Sequence, residues 1–308
     1  MMKRICLIIV LMAAFCGRLS AQQNPLYSQY MFNHLVINPA YAGTKPYLSL
    51  TGIVRKQWMG IEGSPLTGSV SLHGPLKNRK MGLGILINND HIGIIDQTDV
   101  YGSYAYHIPV SSGHLSLGLS GGFSLYSSNI SELKYWDGSD PLYQSNSINN
   151  ILPNFGAGAF YYSEHFYAGL SAPQLLSYDS NDKLSVKKQY IHHPAPHYYF
   201  TSGYVFDTKG LTKIKPSFVV RYVNDAPVSF DVNVNALLND ILSLGVSYRY
   251  KDAAVGIIEY QISRKLRFGY AYDYTFNGLQ KVAGSTHEVM IAFDFGYDIL
   301  KVKNPRYF

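Results

Sequence analysis

In "GHLSLGLSGGFSLYS", residues 113 to 127, side chains change character at every second position. Leu115, Leu117, Leu119, Phe123 and Leu125 fall on one face, and His114, Ser116, Gly118, Ser120, Gly122 and Ser124 on the other. Only an extended strand has a repeat of two, so this pattern excludes a helix and requires one apolar and one crowded polar environment. The pattern returns in "PVSFDVNVNA", where Val228, Phe230, Val232 and Val234 oppose Ser229, Asp231, Asn233 and Asn235. It returns again in "KLRFGYAYDYT", where Leu266, Phe268, Tyr270, Tyr272 and Tyr274 oppose Arg267, Gly269, Ala271 and Asp273.

Alternation alone also fits a soluble sandwich or solenoid, and composition decides between them. Charged residues are only 15% of the chain, against about 25% in ordinary domains, while Tyr reaches 27 and Phe 15. Aromatics gather at segment ends, as in "YAYH", "FYYSEHFY", "HYYF" and "YDYTF", like the two girdles of a barrel in lipid. Beyond the first residues no apolar run is long enough for a spanning helix. The expected fold is an all-β, transmembrane antiparallel outer-membrane β-barrel of about 14 strands. They lie near 47–58, 66–74, 80–88, 97–108, 114–127, 153–163, 165–171, 197–207, 211–223, 227–237, 240–250, 252–262, 265–275 and 286–296.

Ahead of the barrel, residues 1–21 read as a secretory signal with Lys3 and Arg4, an apolar stretch from Ile5 to Cys16, and a small-residue site at Leu19-Ser20-Ala21. Both cysteines, Cys6 and Cys16, leave with it, so the mature chain has no disulfide or thiolate. Lys3, Arg4 and Arg18 leave as well: 26 basic residues less three, against 20 acidic ones, lower the formal charge from +6 to +3. That removes half the support for a nucleic-acid partner, and none is expected. The remaining boundaries are 22–46 for an N-terminal periplasmic or plug segment, 47–296 for the barrel and 297–308 for a C-terminal tail.

Links from even- to odd-numbered segments are mostly short, such as "PVSSG", "SEH" and "LND", whereas the long ones lead from odd to even. Outer-membrane barrels keep short turns in the periplasm. The parity therefore predicts an integral protein of the outer membrane with both termini in the periplasm.

The leader "NPLYSQYMFNHLVINPAYAG", residues 24 to 43, is unusually sticky for a chain end. Tyr27, Tyr30, Met31, His34 and Leu35 follow the spacing of one helical stripe, and Asn38-Pro39 stops it. So short a helix is marginal alone. With Phe32 and Tyr41, these residues are candidates for docking into the barrel's own lumen or onto a partner. Lumen-side charges of both signs, Asp231, Arg249, Glu259, Arg267, Asp273, Glu288 and Asp294, are candidates for a network that fastens such a plug.

Catalytic patterns are weak. Gly118-Leu119-Ser120-Gly121-Gly122 matches a nucleophile elbow, but Ser120 sits in mid-strand rather than at a strand-to-helix turn. His192, His193 and His197 in "HHPAPH" lack a further acidic or cysteine ligand. "DGSD", Asp137 to Asp140, lacks calcium-loop spacing. No enzyme activity, cofactor or metal is expected.

The leader, then "RKQWMGIEGSPLTGSVSLHGPL" with Arg55, Gln57, Trp58, Gly60, Gly63, Pro65, Thr67, Ser71, His73 and Pro75, then "MGLGILINNDHIG", "YGSYAYH", "PNFGAGAFYY", "YAGLSAPQLL", "PSFVVRY", "GYAYDYT" and "GSTHEVMIAFDFG" together resemble the PorP/SprF family. The resemblance covers nearly the whole mature chain, although an aspartate would be more usual than Asn24. It implies a non-enzymatic barrel of type IX secretion and gliding motility. Such a barrel docks, helps export or anchors a secreted adhesin bearing a C-terminal secretion signal, or a periplasmic machine subunit. A peptidoglycan-binding lipoprotein is a further partner that it implies. The alternative is an outer-membrane channel for small or hydrophobic solutes.

Overall fold

The computed structural model describes residues 26–128, 148–176, 196–208, 210, 212–224, 226–278 and 284–296. Fifteen strands run in chain order: β1 (Leu48–Lys56), β2 (Leu66–Pro75), β3 (Met81–Ile92), β4 (Ile95–Val110), β5 (Gly113–Ser128), β6 (Ile148–Ser163), β7 (Phe166–Ala172), β8 (His197–Tyr204), β9 (Phe206–Asp207), β10 (Thr212–Val223), β11 (Ser229–Leu238), β12 (Leu242–Arg249), β13 (Ala253–Gln261), β14 (Leu266–Thr275) and β15 (Thr286–Phe295). β8 and β9 are one stave interrupted at Val205, and both pair with β10, so the wall has fourteen staves.

Each stave pairs antiparallel with the next, and β1 pairs with β15 from Leu48↔Phe295 to Lys56↔His287. This last ladder closes the sheet and removes its edges. In lipid that closure is obligatory, because no water is present to satisfy an open row of N–H and C=O groups. Alternation supplies the two faces. In β5 Leu117, Leu119, Phe123 and Leu125 are exposed outward, whereas Ser116, Ser120 and Ser124 are buried inward. Ile85, Val70, Val246 and Ile291 continue the apolar outer belt on other strands.

The links distinguish two mouths. One carries tight turns such as 111–112, 164–165 and the reversal at Asn239–Asp240. There the positive φ angles of 53° and 55° give a turn whose twist matches its strands. The other carries the long links 57–65, 129–147, 173–196 and 276–285. At that mouth Trp58 holds a left-handed φ of 51° while its N–H donates to Thr286 Oγ1, and the neighbouring Met59 N–H donates to the Ser285 carbonyl. Each of β4, β5 and β6 is 16 residues long, beyond the roughly 9–11 needed to cross a bilayer. Since their lower ends stay in register with the tight turns, the surplus rises past the long-link mouth.

Candidate functional site

The barrel's interior is occupied by the leader. It makes three successive 3-10 turns, Tyr30–Phe32, His34–Val36 and Pro39–Tyr41, rather than the single short helix expected from its spacing. Asn33 (φ −144°, ψ 78°) and Asn38 (φ −144°, ψ 111°) leave helical space and divide the segment. The second break is the ordinary consequence of a residue preceding proline. No apolar stripe forms, because Ser28, Gln29, Asn33, Val36 and Ile37 are buried alongside Tyr27, Tyr30, Met31, His34, Leu35, Asn38, Pro39 and Tyr41. Phe32 is half-buried. Wall surrounds the segment on every side, and a helix with one wet face has no place there.

At the long-link mouth the leader begins in a knot of buried charge. The Ser28 and Gln29 N–H groups each donate to one oxygen of Glu288, both at 2.8 Å. The Ser28 hydroxyl donates to Asp273 and accepts from Arg55 (2.9 Å) and Arg249 (3.2 Å), filling its whole hydrogen-bonding capacity. Arg55 also reaches Asp273 at 2.7 Å and Glu288 at 3.1 Å. Arg249 joins Asp273 to Asp231, and Arg221 grips Asp231 with both guanidinium nitrogens. The three guanidiniums are matched by Asp231, Asp273 and Glu288, with Asp252 a further, more exposed partner of Arg249 at 3.4 Å, so the buried charges partner one another. Unpaired, any one of them would be expensive at such burial.

Deeper in the lumen several polar backbone and side-chain groups of the leader find partners on the wall. Lys215 Nζ donates to the Met31 carbonyl, Asn33 Nδ2 to Ser71 Oγ, and Ser171 Oγ to the Ile37 carbonyl. The Asn38 Oδ1 caps the Ala40 N–H at 2.9 Å, while Nδ2 donates to the Ala159 and Leu170 carbonyls on β6 and β7. Ser116 Oγ donates to the Ala40 carbonyl at 2.6 Å, and the Gly43 N–H donates to His73 Nδ1 at 3.2 Å. Inward glycines leave room for this backbone: a Cβ on Gly118 would stand 2.3 Å from Ala40 N, on Gly82 2.1 Å from the Ala42 oxygen, and on Gly158 2.1 Å from Asn38 Oδ1.

His34 is fully buried among four rings, with centroids at 6.3 Å from Tyr30, 5.3 Å from Tyr41, 5.5 Å from Phe160 and 4.9 Å from Tyr167. Among the described residues neither imidazole nitrogen has a hydrogen-bond partner. Near the tight-turn mouth a second charge group forms, with Arg267 between Glu259 (3.4 Å) and Asp294 (3.6 Å), and Asp294 4.0 Å from Lys45. Burial and Arg267 push Lys45 down to about 8, against the pull of Asp294.

The seven lumen charges named from sequence therefore fall into two groups. Asp231, Arg249, Asp273 and Glu288 lie around Ser28, whereas Glu259, Arg267 and Asp294 lie near Lys45. Sequence reasoning missed Ser28, Arg221, Lys45 and Lys215 as members, and saw Arg55 only as a motif residue. Arg55 was detectable, since Thr51, Ile53 and Arg55 share a strand face and two of them are small or apolar. Ser120 is buried in the lumen wall with no described partner for its hydroxyl. His197 opens β8, buried and stacked on Tyr199, while His192, His193 and Asp137 to Asp140 lie outside the described residues.

Tyr27 and Ser28 touch residues at the long-link ends of their strands, and Gly43 touches Gly82 and His73 at the tight-turn ends. Gly296 also lies at the tight-turn end, next to the Leu48↔Phe295 pair. Among the described residues the chain thus starts at one mouth and finishes at the other.

The fold resembles solved outer-membrane barrels. The toluene transporter TbuX of Ralstonia pickettii superposes with a TM-score of 0.51 at 11% identity, over 84% of this chain and 92% of that one. A FadL homologue of Pseudomonas aeruginosa gives 0.46 at 12% identity, over 92% and 96%. Omp33 of Acinetobacter baumannii gives 0.49 at 11% identity, over 82% and 100%. No curated protein matches the sequence. The family profile described as "Type IX secretion system membrane protein PorP/SprF" matches residues 19–293. With the closed barrel that it accompanies, this match identifies the chain as a member of the PorP/SprF family of type IX secretion system membrane proteins.

Proposed function

We propose that this protein is an outer-membrane fixture of type IX secretion and gliding. It docks, helps export or anchors a secreted surface protein or a periplasmic machine subunit, and is neither an enzyme nor an open channel. The short-turn mouth faces the periplasm, as is usual for such barrels. The leader serves as a plug, and the lumen charges fasten it.

The observation that carries this reading is the density of buried bonds between leader and wall, from Ser28 at one mouth to Gly43 at the other. A lumen filled in this way cannot conduct solute unless the leader leaves, whereas a rigid, closed barrel is suited to hold loops and mouths in fixed positions for a partner. A channel would instead need a continuous wet path.

Two measurements decide between them. Affinity purification from native membranes should recover a secreted adhesin or a periplasmic subunit with the intact chain. Deleting residues 24–43 should abolish that recovery while the barrel still inserts; unchanged recovery removes the leader from partner binding. In planar bilayers the intact protein should be nearly silent, and steady solute flux through it would favour the channel reading.

A further inference from the structure

The leader's direction through the barrel has a topological result. Ser28 is bound by Arg55 near the end of β1, Arg249 at the end of β12, Asp273 near the end of β14 and Glu288 near the start of β15, all beside the long-link mouth. Asn38 and Ala40 then meet mid-wall positions on β5, β6 and β7. Gly43 meets the start of β3 and the end of β2 beside the tight turns. The segment is therefore threaded lengthwise, and β1 begins only after it has come out at the tight-turn mouth.

Reach then constrains what lies ahead of it. If processing leaves Gln22 first, four residue steps separate that end from Leu26, a span of at most about 14 Å. The climb from Leu48 to Arg55 along β1 is seven steps of about 3.3 Å, or about 23 Å, and the lumen beside it is already filled. That climb is longer than the reach of four residue steps.

We infer that the leader is a strap threaded through the lumen, with its free end displayed at the cell surface. This rests on the orientation given under the proposed function, with tight turns in the periplasm. The strap is then a segment of the protein that touches both mouths. Its first residues are held there by the Ser28 and Gln29 N–H groups on Glu288 and the Ser28 hydroxyl on Asp273.

The test uses the full chain and exploits its freedom from thiols after the signal is removed. Single-cysteine variants Gln23→Cys, Met59→Cys on a long link and Ser111→Cys on a tight turn are treated with a membrane-impermeant maleimide on intact cells. Folding of each is checked by heat-modifiable mobility on gels. Gln23→Cys should label as fully as Met59→Cys, with Ser111→Cys labelling only after the outer membrane is permeabilised. Protection of Gln23→Cys until permeabilisation, with Met59→Cys still labelled, overturns the threaded strap while leaving the orientation intact. Labelling of Ser111→Cys on intact cells, with Gln23→Cys and Met59→Cys protected, overturns the orientation and with it the surface display.

Discussion

At the scale of residues, the molecule depends on a few buried groups that are satisfied only together. Arg55 neutralises Asp273 and Glu288 while binding Ser28, so Arg55→Met should leave two carboxylates short of a counter-charge. Removing one member of a buried pair costs about 3–5 kcal/mol, and Ser28→Ala about 1–3 kcal/mol. Because they share partners, the double variant should lose less than the sum of the two, as read from thermal unfolding in detergent; strict additivity would dissolve the network. His34 packs among the rings of Tyr30, Tyr41, Phe160 and Tyr167 with neither nitrogen bonded among the described residues, so His34→Phe should seat normally and leave the leader's protection against protease unchanged.

At the scale of elements, the strands were legible because lipid and lumen impose opposite preferences on alternate residues. The fourteen expected segments correspond to the fourteen staves, including the one near 197–207 that Val205 divides. The start of β6 was not legible: the strand was expected from 153, with Asn149 and Asn150 in the preceding link, yet Ile148 to Leu152 pair with β5. The leader's form was the larger miss. Its spacing imitates a helical stripe, but 3-10 turns separated by Asn33 and Asn38 bring buried groups to every side. That outcome depends on glycines in distant strands, whose significance no local pattern reveals. Gly118→Val should therefore keep the barrel closed and inserted while unseating Ala40, raising protease sensitivity of the leader and single-channel conductance together. Full protection with normal insertion would show that the close approach at Gly118 is dispensable.

At the scale of the whole molecule, closure and filling are separate achievements. Closure comes from the β1–β15 ladder and makes the barrel compatible with lipid; filling comes from the leader and makes its lumen compatible with silence. Reversing Arg249 and Arg267 to glutamate should leave closure untouched and disturb filling at both mouths, since one binds Ser28 and the other sits beside Asp294 near Lys45. Bilayer conductance should rise, and unchanged conductance with unchanged protease resistance would count against a fastening role. The sequence by itself determined the barrel, the stave number, the distinction between two mouths and the family, because each rests on local alternation, link length or motif. Only the tertiary structure decided that the leader threads the lumen in 3-10 turns and that the charges divide into two groups. It alone also decided that Ser28, Arg55, Arg221 and Lys215 belong to the interior contacts. Those features depend on which residues from sequence-distant strands meet inside the closed wall, and no periodicity along the chain encodes that meeting.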